Sequence, residues 1–115
     1  MGAAMAAGAG WPRQRRQRIT EVIVRHNWPE VDPLHDLEGY LIEIATGLDI
    51  AGRRDADIPL EFRREVLAAY PRLTLAEEFG ASVRDQSERK PGSHARRLFD
   101  GGVVSRLAGN PLERL

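Results

Sequence analysis

Five residues of this sequence have side chains and spacings that could support chemistry: His26, His35, Asp36, Asp49 and His94. Histidine is the commonest metal ligand and the usual acid–base group near neutral pH. A carboxylate can ligate a cation or orient a histidine ring. A cysteine nucleophile and thiolate metal sites are excluded, because the sequence has no cysteine. The question is therefore which of these five side chains the fold brings together.

His26 and Asp49 form the pair that helical periodicity favours. His26 shares one face of a predicted first helix with Ile19 and Ile23. Asp49 lies on an apolar stripe of a predicted second helix, where an unpaired buried charge would cost several kcal/mol. His26 is the natural partner if the two helices pack antiparallel. Such a pair could ligate a metal or orient a substrate, but a structural pair is the default interpretation, since two ligands do not close a metal site.

The other two histidines have simpler interpretations. His35-Asp36 is a dipeptide that is the hallmark of one metallohydrolase superfamily. Asp36, however, directly precedes the apolar period of the second helix, at the N-cap position where a carboxylate accepts backbone N–H bonds. We therefore predict that Asp36 is a helix cap. His94 follows Ser93 in the first turn of a short polar helix with no acidic cluster beside it, and we predict a surface residue.

Helix-forming residues dominate the elements that must position these side chains, and no convincing strand is present. The second predicted helix is apolar on two sides, which makes it the central helix of the fold. Thr74 and Glu77 have the spacing of a capping box at the start of the fourth helix. We predict an all-α fold, a compact bundle of about four to six helices, with the first four near residues 12–27, 37–50, 59–70 and 75–90 and short helices after Ser93 and Gly102.

Length and composition suggest one domain. The chain has 115 residues, of which 42% are hydrophobic and 30% charged, and these values are typical of globular proteins. We expect a disordered Ala/Gly-rich start over residues 1–10, with the remnant of a helix as the alternative. A helical domain is expected over 11–110 and a tail over 111–115.

Charge and hydropathy limit the classes of partner that we expect for this protein. The formal net charge is zero, so we expect no nucleic-acid partner. The arginines at positions 13, 15, 16 and 18 are interpreted as a solvated helix surface, with phosphate binding as the alternative. No apolar run approaches the ~20 residues that span a bilayer, and the start of the sequence does not resemble a signal peptide. We therefore expect a soluble, cytoplasmic protein.

Several short stretches occur in a characteristic order, and the most specific of them is Thr46-Gly47-Leu48-Asp49. The others are Ile23 to His26, Ala45 to Gly52, Tyr70 to Arg72, Arg84 to Gln86 and Arg89 to Gly92. In this order and spacing, the sequence from about Gly10 to Leu115 resembles the C-terminal half of the HD-domain family, in the branch that includes cyanamide hydratase-like hydrolases. The resemblance implies an HD-like helical fold without the family's N-terminal helices.

The resemblance also implies a role for the first pair of residues. The family holds a divalent metal (Zn, Fe or Mn) with an early histidine, a helical His-Asp pair and a later aspartate, and the later aspartate matches Asp49. His26 matches a histidine that lines the same pocket, so the resemblance makes it the candidate catalytic residue. His35-Asp36 lies in the wrong register to be the helical pair. The remaining ligands would precede Met1, so we expect a vestigial metal site and a chain without catalytic activity on its own.

Two hypotheses for function remain open. The first is a truncated HD-family hydrolase. The second is a small helical interaction module with a protein partner in place of a substrate. The central helix is apolar on two sides, and large apolar surfaces are rarely exposed in a monomer. We therefore predict a homo-oligomer or a partner chain that covers the exposed apolar face.

Overall fold

The computed structural model describes residues 1–115, and its regular elements are all helices, with no strand. It contains α1 (Gly2–Gly8), α2 (Arg13–Arg25), α3 (Leu37–Ala51), α4 (Leu60–Ala69), α5 (Leu75–Arg89), α6 (His94–Asp100) and α7 (Val103–Ala108). Two 3₁₀ helices cover Asp55–Asp57 and Pro111–Arg114. The all-α class predicted from periodicity is confirmed. None of the helices combines the length and apolar character needed to cross a bilayer.

The chain divides into two compact units, Met1–Thr46 and Gly47–Leu115, which we call unit 1 and unit 2. The boundary lies inside α3, so this helix contributes residues to both units. Length and composition predicted one helical domain over residues 11–110. A periodicity argument assigns faces to helices, but it carries no information on which helices share a core.

Unit 1 begins with a helix where the sequence analysis expected a disordered start. α1 packs against α2, and Ala6 is buried. The approach is close at Gly2, where a Cβ would lie 2.6 Å from the Ile23 side chain and 3.3 Å from that of Ile19. Alanine has the highest intrinsic helix propensity, and small residues let the two helices approach. The Ala/Gly composition therefore serves packing in this segment.

The start of α3 agrees with the prediction made from Asp36. The Gly39 N–H, three residues into α3, donates a 2.9 Å hydrogen bond to the Asp36 carboxylate, as an N-cap aspartate requires. A Cβ at Gly39 would collide with that carboxylate. Gly39 thus has a packing role that outweighs its low helix propensity.

The core of unit 2 lies between α5, α6 and α7. Val83, Val103 and Leu107 are its buried centre. Partly buried residues surround them: Ile50, Ala76, Phe79, Leu98, Phe99 and Val104. The chain enters α7 through Gly102, whose φ of 79° belongs to the left-handed region that favours glycine. Burial of these apolar side chains is the main driving force for packing the three helices.

Two helix starts in unit 2 can be compared with the caps that the sequence predicts, and the structure has one of the two caps. Ser93 caps α6 by accepting the Arg96 N–H at 3.3 Å, as its position predicts. The predicted capping box at Thr74 is wrong, because the Thr74 hydroxyl donates to Glu78 at 2.8 Å instead. Thr74 has φ −97° and ψ 23°, whereas the capping geometry needs an extended residue.

The segment expected to be a tail is part of the unit 2 structure. Leu112 is buried, and the fully buried Asn110 side chain accepts the Leu112 N–H at 3.0 Å. The Asn110 amide also donates to the carbonyl oxygens of Leu48 (3.0 Å) and Asp49 (2.8 Å). Residues 110–114 are therefore fixed to the end of α3.

Candidate functional site

His26 directly follows α2, and its ring is satisfied locally. The Nδ1 atom donates to the carbonyl oxygen of Ile23 in the preceding helical turn. The His26 N–H also bonds the carbonyl of Val22, at 3.0 Å. A proton on Nδ1 leaves Nε2 as the lone-pair nitrogen of the neutral ring. The first of the two predicted site residues thus has a helix-terminating contact of its own.

Asp49, the predicted metal ligand, is held by an arginine. Its Oδ1 accepts from Nη1 of Arg72, while Nη2 of the same guanidinium donates to the Asp49 carbonyl at 2.8 Å. Nε of Arg72 donates to the Glu113 carboxylate at 2.6 Å. The burial is opposite to the one expected, because the Asp49 side chain is 54% exposed and that of Arg72 only 7%. The buried group here is the arginine.

We call Arg72, Asp49 and Glu113 the Arg72 cluster. It joins three segments of unit 2: the end of α3, the connection between α4 and α5, and the 3₁₀ helix at Pro111–Arg114. Leu73, the next residue, has a φ of 52°, so the chain turns sharply after Arg72. Sequence analysis grouped Arg72 with a family motif but did not foresee its ion pairs, which join residues 23 and 41 positions apart.

A second cluster lies in unit 1, and only the capping role of its aspartate was predicted from the sequence. Asp36 is 6% exposed and accepts from both Arg18 and Arg25, the latter at 2.6 Å, besides capping α3. We call Asp36, Arg18 and Arg25 the Asp36 cluster. Arg18 also reaches Glu38 (2.8 Å) and Glu21 (3.3 Å), so it is not the purely solvated residue that was predicted.

The charges in this cluster reinforce one another. The Arg18 guanidinium, then that of Arg25, then the Gly39 N–H hold the pKa of the Asp36 carboxyl far below its usual range. Hydrogen bonds to Asp36, then to Glu38, raise the pKa of Arg18 above its ordinary value. Arg18 and Arg25 are seven residues apart, two turns along one side of α2. That spacing was the available sequence signal for the cluster.

The remaining histidines lie on the surface. His35 is strongly exposed, and its Nδ1 lies 2.7 Å from the Asp32 carboxylate. The Leu34 N–H, then His35, lowers the pKa of Asp32. His94 is exposed at the start of α6, as predicted. His35 thus belongs to a local turn and Asp36 to a cap, and the two do not act as one ligand pair.

The residues do not fit a divalent metal centre. No group of three or more histidine, aspartate or glutamate side chains gathers at one point. At Asp49 the guanidinium of Arg72 already takes the place that a cation would need. A second positive charge beside it would be repelled. The metal role of Asp49 and the catalytic role of His26 stay predictions from the resemblance.

One exposed apolar surface lies at the start of α3. Leu34, Leu37 and Leu41 are 91%, 58% and 56% exposed, and we call them the leucine face. The opposite side of α3 faces the interior of the protein, since Gly39 and Glu43 are buried. One side of this part of the helix is therefore packed and the other is presented to solvent.

Comparisons of the chain with protein-family models, with curated protein sequences and with solved structures find no match.

Proposed function

We propose that this protein is a small helical interaction module that self-associates through the leucine face. The observation that carries the proposal is the exposure of Leu34, Leu37 and Leu41 within eight residues of one another. Removal of apolar surface from water favours association, and the loss of translational and side-chain freedom offsets part of that gain. Exposed apolar side chains that lie close together in the chain are candidates for an interaction site.

The composition is compatible with a second copy of the chain as the partner. The formal net charge is zero, so two copies approach without long-range repulsion. The leucine face itself carries no charge. A strongly acidic or basic partner would gain little from it.

Sedimentation velocity over a hundredfold range of concentration tests this proposal. We expect the wild-type sedimentation coefficient to rise with concentration, and the double variant Leu37→Gln/Leu41→Gln to sediment as a monomer throughout. Tyr70→Gln/Leu73→Gln is the matched control, because both residues are strongly exposed in unit 2 and lie outside the leucine face. A concentration-independent wild-type monomer, or equal dissociation by the control, would overturn the proposal.

The second candidate is the HD-type hydrolase role that the resemblance implies. The all-helical fold and the solvent-exposed carboxylate of Asp49 support it. Metal binding there would have to release Asp49 from Arg72. Titration with Mn²⁺, Fe²⁺ and Zn²⁺ is the test, and we expect no stoichiometric binding. Stoichiometric metal in the wild type that is lost in Asp49→Asn would favour this candidate over the first.

We also propose a cytoplasmic location. The absence of cysteine is compatible with a reducing compartment, where disulfides are rare. Fractionation of cells that produce the untagged protein would test this proposal, and recovery outside the cytoplasm would contradict it.

A further inference from the structure

We infer that α1 and the start of α2 attach this protein to anionic lipid surfaces. The ligand is the headgroup layer of a membrane that contains acidic phospholipid, and attachment at that layer requires no membrane-spanning helix. This part of unit 1 does not include the leucine face. The inference therefore stands or fails independently of the proposed self-association.

The outward side of α1 is apolar, whereas a helix at a protein surface usually presents polar side chains to water. Residues 1–10 consist only of alanine, glycine and methionine. Gly2 and Ala6 lie on the packed side of this segment. Met1 and Met5, four residues apart, are 99% and 70% exposed. No polar side chain of residues 1–10 covers the outward side, so transfer of that side to an apolar environment is favourable.

Trp11 lies at the turn between the two helices and is 40% exposed. Its backbone N–H donates to the Ala6 carbonyl at 3.0 Å, which holds it at the end of α1. The guanidinium carbon of Arg15 lies 4.6 Å from the centre of the indole ring. Tryptophan is enriched at the headgroup level of membranes, because one part of its ring is apolar and another is polar. With Trp11 at that level, Arg15 is placed among the phosphate groups.

The basic residues beside Trp11 have no acidic counterpart in the fold. Residues 1–20 contain four arginines and no acidic residue. Arg13, Arg15 and Arg16 have no carboxylate partner, whereas the two later arginines of α2 form ion pairs. The three unpaired arginines lie in the first turn of α2, where a positive charge opposes the helix dipole. Their charge is unfavourable within the chain itself, and an anionic surface offsets it.

The combination of exposed apolar and basic side chains selects a membrane over a nucleic acid. A phosphate backbone would pair with the arginines, but it offers the exposed methionines no apolar counterpart. A membrane that contains acidic lipid has an anionic layer directly above an apolar one. Few large side chains are available for insertion, so we expect the attachment to be weak and reversible.

Co-sedimentation of the full chain with vesicles tests the charge requirement. We expect binding to equimolar phosphatidylcholine and phosphatidylserine, and none to phosphatidylcholine alone. Arg13→Gln/Arg15→Gln should lower the binding constant by about tenfold, because each basic residue near an anionic surface adds to the attraction. Lys90→Gln/Arg97→Gln is the matched control, since it removes the same charge at two exposed residues of unit 2. An equal loss in both variants, or a wild type that does not bind, would overturn the inference.

Insertion of the apolar side chains is measured separately. Trp28→Phe leaves Trp11 as the only tryptophan. On the mixed vesicles its emission should move to shorter wavelength, and brominated acyl chains should quench it. Met5→Gln should weaken binding severalfold, whereas Leu73→Gln, at an exposed apolar residue of unit 2, should not. Unchanged Trp11 emission on the vesicles, or binding to a single-stranded oligonucleotide in place of vesicles, would overturn the inference.

Discussion

The two arginine–carboxylate clusters have opposite burial. In the Asp36 cluster the carboxylate is buried and its two arginines, Arg18 and Arg25, are about one-third exposed. In the Arg72 cluster the guanidinium is buried and the Asp49 carboxylate is half-exposed. In each case the side chain of the buried member has three hydrogen bonds, because an ionised group is costly to bury unless its bonding capacity is filled. The buried member should therefore govern stability.

The largest effect is expected from Arg72→Ala, which removes the buried member of its cluster. We expect the free energy of unfolding to fall by about 3 kcal/mol, since the variant loses the three hydrogen bonds of a buried guanidinium. The loss should appear in the denaturant transition followed by far-UV circular dichroism. Tryptophan fluorescence reports on unit 1, which holds both tryptophans. Arg89→Ala, at an exposed ion pair with Asp85, is the control. An equal loss of stability in Arg89→Ala would mean that the burial of Arg72 does not set the size of the effect.

Asp36→Asn is expected to have the next largest effect, and tryptophan fluorescence is the measurement that follows it. The amide keeps the N-cap interaction with Gly39 but loses the charge that Arg18 and Arg25 pair with. We expect the fluorescence-detected transition of unit 1 to move to lower denaturant. Glu30→Gln, at an exposed carboxylate in the same unit, should leave the transition in place. An unchanged transition in Asp36→Asn would show that the buried carboxylate does not govern this unit.

The acid dependence of unit 1 is the third test. The pKa of Asp36 is depressed in the folded protein, so its stabilisation is complete above the unfolded value of about 3.9 and is lost as the pH falls further. The fluorescence-detected stability of the wild type should therefore decline below about pH 4. That of Asp36→Asn should decline less, and the two curves should converge in acid. Parallel curves would contradict the assignment.

Asp49→Asn should have the smallest effect, about 0.5 kcal/mol, because the carboxylate is half-exposed and such pairs contribute little. The amide oxygen can still accept from Arg72. Circular dichroism of Asp49→Asn beside Arg72→Ala gives the direct comparison within one cluster. A loss as large as that of Arg72→Ala would mean that Asp49 is the governing member.

Local sequence signals predicted much of the fold. Proline positions and caps act on the nearest backbone groups, so the start of α3 after Asp36, the start of α4 after Pro59 and the Ser93 cap were predicted. The all-α class followed from periodicity. The Thr74 prediction failed because a matching pattern does not fix the backbone angles of its first residue.

The candidate site was less predictable than the helices. Asp49 was expected on a buried face beside His26, but its observed partner is Arg72, 23 residues away. Periodicity places residues on a face and cannot select among distant arginines. Arg18 and Arg25, by contrast, share one side of α2, so the Asp36 cluster was within reach of the same reasoning.

The contacts of Asn110 also constrain how unit 2 folds. Its amide closes hydrogen bonds with Leu48 and Asp49 across about sixty residues of chain. Closure over such a span costs entropy that is recovered only when the distant partner arrives, and long-range contacts of this kind slow folding. During synthesis the end of α3 therefore emerges long before the residues that fix it. We expect the helices α5 to α7 to form first and the Asn110 contacts to close last.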